Sequence, residues 1–164
     1  MAIFKKEREM TPRLEEHLKK MGCWTLRERY GACSWMDLTA KLPDGEFVAF
    51  ELKLHKLSEV MHQAENNLAV CHYSFVVVPD YRMLVPSAAP EKALRDCVKL
   101  GIGLITMNPE TSKLVCMARA RRLNEPYSQH TARLERVFLR NRKLATMGLY
   151  PDANHSLFKA HFVF

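Results

Sequence analysis

The stretch "MDLTAKLPDGEFVAFELKL", residues 36 to 54, decides how the chain is read. A turn signal, Pro43-Asp44-Gly45, separates two runs rich in apolar and β-forming residues, the pattern of a hairpin. Folding the stretch about Asp44 sets Met36, Leu38 and Ala40 opposite Leu52, Phe50 and Val48, a continuous apolar face for packing against helices. The other face then carries Asp37 opposite Glu51, with Lys53 two residues further on the same side, because side chains alternate along a strand. Charged groups are costly to bury inside such a run, and two carboxylates about 5 Å apart repel. A divalent cation with hard oxygen ligands, Mg²⁺ or Mn²⁺, resolves that conflict. It also suits phosphodiester hydrolysis, in which the ion activates water and offsets charge on the phosphate while the Lys53 ammonium assists the nucleophile.

Outward from the hairpin, the pattern predicts a helix at 10–21, with Thr11 as N-cap, Pro12 in its first turn and Gly22 as stop. Strands are expected at 24–30, 34–42 and 47–54. Ser58 caps a helix to about Cys71, and "SFVVVP" follows as a strand apolar on both faces. Strand, helix, strand implies a right-handed crossover with parallel strands, so the hairpin extends into a mixed sheet. A helix at 90–100, strands at "GLITM" and "KLVCMA", and an amphipathic helix from Ser128 to Met147 complete the reading. The fold class is therefore α/β, a mixed sheet of four to six strands flanked by helices. Residues 1–120 form the core and 121–164 a basic helical extension packed on it.

The 164 residues, nearly half hydrophobic, suffice for one core. No stretch reaches the roughly 18 apolar residues of a membrane span and the amino terminus is too charged for a secretory signal, so a cytoplasmic location is expected. Five dispersed cysteines without a C-x-x-C pair read as reduced fillers, and the seven histidines show no metal-binding spacing. Of the net charge of +7, residues 119–143 hold +6, which suits the phosphates of a nucleic acid and equally a solvated helix face. Arg133, Arg136, Arg140 and Lys143 are the candidate nucleic-acid contacts. Trp24, Tyr30 and Trp35 are candidates for core packing before base stacking, and His55 for an exposed loop. The aromatic end, "SLFKAHFVF", fits either a last strand or a docking segment.

"MDL", "FELKL", the following helix with Gln63, and "FVVVP" resemble the PD-(D/E)XK nuclease superfamily, the restriction-endonuclease-like fold. Within it, "EREMTPRLEEHLKKMG", "ELKL", "HQA", "YSFVVVP" and "GIGLITM" are similar to an uncharacterised bacterial and phage branch of PD-(D/E)XK phosphodiesterases. The resemblance covers roughly residues 7–118 and departs from the pattern in having Met36, not proline, before Asp37. It implies an αβββαβ core in which Asp37 and Glu51 bind Mg²⁺, with Leu52 counted among the metal ligands, and Lys53 assists the attacking water. It further implies a helical glutamate, best matched by Glu9 with Glu15 and Glu16 as rivals, and a polar position at Gln63. The function so implied is a magnesium-dependent deoxyribonuclease, monomeric or homodimeric, acting on DNA with RNA as a second candidate polymer. The alternative is a non-catalytic nucleic-acid- or protein-binding module on the same fold, such as a phage factor acting on a host complex.

Overall fold

The computed structural model describes residues 2–27, 36–86, 89–123, 125–140 and 157–164. A single turn of 3-10 helix at Glu7–Glu9 leads into α1 (Thr11–Lys20), followed by β1 (Trp24–Arg27), β2 (Leu38–Lys41), β3 (Phe47–Leu52), α2 (Leu57–Asn67) and β4 (Tyr73–Pro79). A 3-10 segment at Asp80–Leu84 precedes α3 (Pro90–Leu100), β5 (Gly103–Met107), β6 (Leu114–Ala118), α4 (Ser128–Arg140) and α5 (Leu157–Phe162). The six strands form one sheet in the order β1-β2-β3-β4-β5-β6, so every strand pairs with its neighbour in sequence. β1, β2 and β3 are antiparallel, β3, β4 and β5 are parallel, and β6 returns antiparallel to β5. The first six elements from α1 thus run αβββαβ.

The hairpin has the expected register: Leu38 pairs with Phe50, Ala40 with Val48 and Lys41 with Phe47. Gly45, at φ +92, makes the turn possible, and Leu42 closes it through its amide to the carbonyl of Glu46 at 2.8 Å. All six residues of β3 and all seven of β4 are buried, as strands covered on both faces must be.

Alternation along these strands sorts the core. Leu38, Ala40, Val48, Phe50, Phe75 and Val77 face one way, onto Leu14 and Leu18 of α1 and onto Phe158 and Phe162 of α5. Val76 and Val78 face the other way, onto Val60 and Ala64 of α2 and Cys97 of α3. Phe47 and Ala49 share that second face with Leu134 and Phe138 of α4. The aromatic end of the chain is a short helix and not the expected alternative of a last strand, and it closes the first face. Phe158 meets Phe50 and Phe75 edge-on at 6.0 and 5.4 Å, and Val163 forms a parallel bridge to Ala120. Gly103 lies so close that a Cβ there would sit 2.1 Å from the Phe75 ring.

Several boundaries and faces depart from the sequence reading. Thr11 and Ser58 lie inside their helices; Met10 and Lys56 occupy the N-cap positions, without a side-chain cap bond. α2 ends at Asn67 and β3 at Leu52. Met36 is in the cluster around Phe47, Cys71 and Phe138, on the opposite face from Leu38 and Ala40. The chain bends at Asp37 before β2 begins, so strict alternation does not extend back to residue 36. Residues 28–35, including Tyr30, Cys33 and Trp35, and 141–156, including Lys143 and the end of the expected 128–147 helix, lie outside the described residues. Among the described residues, no helix is long and apolar enough to cross a membrane.

Candidate active site

At the carboxyl end of β3 the chain departs from β2, and the charged residues of the hairpin gather at that divergence. Register extrapolated from β2 and β3 sets Asp37 across from Glu51, but the bend before β2 gives Asp37 its own direction. Its Oδ2 accepts a 2.8 Å hydrogen bond from the main-chain N–H of Leu52. The acid is thereby tied to the strand that bears the E-x-K sequence. It lines an open cleft of about 300 Å³ together with Glu7, Arg8, Thr11, Arg27 and Leu52.

Glu7 comes from the 3-10 turn before α1. Its Oε1 accepts from the Leu54 N–H at 3.3 Å, and its Oε2 lies 3.5 Å from Lys53 Nζ. Lys53 itself is anchored by its main-chain N–H, which donates to the carbonyl of Val77 in β4. The Lys53 side chain keeps 24% of its surface exposed and Glu7, in the cleft lining, 41%. Arg27 is held by Glu15 of α1, with Nε and Nη2 at 2.8 and 2.6 Å from one carboxylate oxygen. Glu15 is nearly buried and also accepts from Thr25 Oγ1. That pairing gives a charge inside the packed α1–β1 contact its partner.

Glu51 is placed differently. It is 1% exposed, and its Oε1 accepts a 2.8 Å bond from Asn67 Nδ2, an amide that is itself buried on α2. Asn67 lies on α2, which covers the face of the sheet opposite to α1. Among the described residues, no group of three or more His, Cys, Asp or Glu is assembled closely enough to hold a metal ion.

The other expected residues lie as follows. Glu9 Oε2 accepts from the Lys5 N–H, which places it within its own turn and outside the cleft lining. Glu16 is exposed and paired with Lys20 at 2.7 Å. Gln63 is exposed on α2, and His55 is exposed in the loop after β3. Trp24 is half-buried beside the Phe47 cluster, with the Lys41 ammonium 5.8 Å from its ring. Arg133, Arg136 and Arg140 are exposed on α4, whose opposite side buries Leu134 and Phe138. Cys23, Cys97 and Cys116 are free thiols; burial pushes Cys23 and Cys97 up to about 12, far from reactive thiolates.

Glu7, Arg8, Arg27 and Asn67 are residues that the pattern of the chain does not single out. Glu7 has one signal in the sequence: the lysine of an E-x-K strand needs an anionic partner, and Glu7 lies in the acidic turn just ahead of the first helix. Matching acids to a family position favours Glu9, whereas it is Glu7 that lies beside Lys53.

No family model and no curated protein matches the sequence. The fold is similar to that of a solved protein of unknown function from Silicibacter pomeroyi, with a TM-score of 0.59 at 17% sequence identity, covering 87% of this chain and 91% of that one. At that identity the likeness speaks for the fold alone.

Proposed function

We propose that the protein is a divalent-metal-dependent nuclease that hydrolyses phosphodiester bonds in DNA. The observation that carries this reading is the convergence of Asp37, Glu7 and Lys53 where β3 leaves β2. The αβββαβ order of the first elements, with the acid just ahead of β2 and the E-x-K strand paired to β2, supports it.

The donor chemistry, carboxylate and main-chain oxygen, suits a magnesium-class ion. Asp37, Glu51 and the main chain at Leu52 would hold it, with Glu7 in the role expected of Glu9. All are hard oxygen ligands, and Mg²⁺ commonly binds through one or two carboxylates while water and substrate phosphate complete its shell. When bound, such an ion supplies Lewis-acid stabilisation of phosphate charge and a water of lowered pKa. The protein's own contribution is positional. The Leu52 N–H fixes the Asp37 carboxylate, Glu7 pairs with the Lys53 ammonium, and Arg8 and Arg27 in the cleft walls offer donors to a phosphate. Lys53 is the group suited to exchange a proton with the attacking water.

A Mn²⁺ or Mg²⁺ digestion panel on linear, circular, single-stranded and branched DNA and on RNA, run beside the Lys53→Ala protein, tests this. Metal-dependent products from the wild type and none from the variant are expected. Equal cutting by both would show that the cleft is not the site.

One observation favours a second reading, a binding module without catalysis: Glu51 is engaged with Asn67 beneath α2. Salt-sensitive DNA binding with no products under any metal would select it.

A further inference from the structure

The same end of the sheet carries a second cleft, of about 250 Å³, whose lining includes Lys56, Leu57, Arg82, Ala89, Lys92 and Asp96. Three cationic side chains and one anionic one give it a net charge of plus two. Lys92 is drawn to Asp96 at 2.8 Å and Lys56 to Glu59 at 3.2 Å, contacts made by long, largely exposed side chains that can turn toward a ligand. Arg82 differs. Its Nε is buried yet has no hydrogen-bond partner among the described residues, an unmet donor of the kind folded proteins rarely leave.

Two helices open onto this cleft. α2 begins at Lys56–Leu57 and α3 at Ala89–Pro90, and neither has a side-chain cap. The main-chain donors of their first turns therefore add to the cationic side chains. β3 and β4 are parallel and each delivers one of these helices, so the cleft lies in the crevice beyond the carboxyl ends of parallel strands, where open α/β sheets bind ligands.

The geometry points to a phosphate-monoester site: the Lys56–Arg82–Lys92 cleft binds the terminal phosphate of a nucleic-acid strand whose neighbouring diester lies at Lys53. A terminal phosphate carries close to two negative charges at neutral pH, matching the cleft, whereas a backbone diester carries one. Three Cα–Cα steps separate Lys53 from Lys56, at most about 11 Å, so one strand end can reach both Lys53 and the second cleft. This assignment rests on the nuclease reading and narrows it to strand ends bearing a phosphate.

The test compares binding of 5′-phosphorylated, 3′-phosphorylated and unphosphorylated oligonucleotides, without metal, by wild type and by Arg82→Gln, Lys56→Ala and Lys92→Ala. The two lysines are exposed, so their variants keep the fold whatever Arg82→Gln does. The expected result is about tenfold tighter binding of one phosphorylated end by wild type, falling toward equality in the variants, with thermal midpoints of the lysine variants unchanged. Equal wild-type affinity for all three strands, or a preference that survives in the variants, overturns the assignment. The nuclease reading fails separately if the metal digestion panel gives no products, and wild type that binds no strand without metal leaves the cleft to a second measurement. Inorganic phosphate then decides the cleft: it raises the thermal midpoint of wild type more than that of Lys56→Ala if the site is real, and equally if it is not.

Discussion

Asp37 and Leu52 are joined by a 2.8 Å hydrogen bond from main-chain N–H to carboxylate, across the point where two paired strands part. The bond separates the acid's structural role from its chemical one. Asp37→Asn keeps an oxygen for the Leu52 N–H but removes the charge that a cation needs. We expect the Asp37→Asn protein to retain its thermal midpoint and lose metal-dependent cleavage by at least about a hundredfold, since electrostatic positioning groups are commonly worth that much. Asp37→Ala should also lose about 1–3 kcal/mol of stability, because it leaves a partly buried donor without its partner. Chemical denaturation beside a cleavage assay distinguishes the two; an Asp37→Asn protein that cuts at the wild-type rate would remove Asp37 from the site.

Glu7 and Glu9 are two residues apart and differ in reach. Glu7 contacts Lys53 and the Leu54 amide, whereas Glu9 accepts from Lys5 within its own turn. Glu7→Gln should reduce cleavage about tenfold or more, and Glu9→Gln should leave it within about twofold, on the scale of positioned acid–base groups. The reverse order in a rate comparison would restore Glu9 to the role that the family resemblance gives it.

Phe158 is fully buried against Phe50, Phe75 and Phe162. Replacing it with alanine removes a large ring from a packed cluster, and such substitutions cost about 3–5 kcal/mol. The drop should appear as a lowered urea midpoint. A loss under about 1 kcal/mol would mean that α5 is not part of the cooperative core.

His72 Nδ1 accepts the N–H of Phe47 at 3.0 Å, which requires that nitrogen to be unprotonated. Burial, the largest influence, holds the folded His72 below its ordinary value of 6.5, although Glu46 pulls upward. Above pH 6.5 the ring is neutral folded and unfolded, and the contribution is complete. As the pH falls below 6.5 the unfolded chain takes up a proton that the folded chain refuses, so stability declines until the lowered folded pKa is passed. His72→Asn keeps an acceptor without titrating. Its stability should fall less between about pH 7 and 5 than that of wild type, and identical slopes would clear His72 of the effect.

Arg136 and Arg140 lie exposed on α4. If they contact phosphates, replacing both with alanine should weaken DNA binding irrespective of sequence and reduce the slope of log affinity against log salt by nearly two, about 0.9 for each lost contact. An unchanged slope assigns them to a solvated surface.

The hairpin register is readable because a glycine turn at 43–45 and two alternating runs admit one pairing that keeps the apolar faces together, and the pairing of Leu38 with Phe50 follows from it. The same logic misplaces Met36, where it is carried one residue past a bend. The neighbourhood of Glu51 is not readable, since nothing local distinguishes Asn67 from any amide near the end of a helix; only the crossover brings it under the strand. Glu7 escapes for a related reason. A charged turn before a helix looks like solvated surface until tertiary packing brings it to the end of β3.

Sequential strand order has a temporal side. Each ladder of the sheet closes between segments that leave the ribosome one after another, so it can assemble progressively with little loop entropy. α5 breaks that rule, because Phe158 meets rings from β3 and β4 made much earlier. Until it arrives, Phe50 and Phe75 present a greasy surface to the cell, and the nascent chain passes through a sticky interval that a chaperone would be expected to shelter.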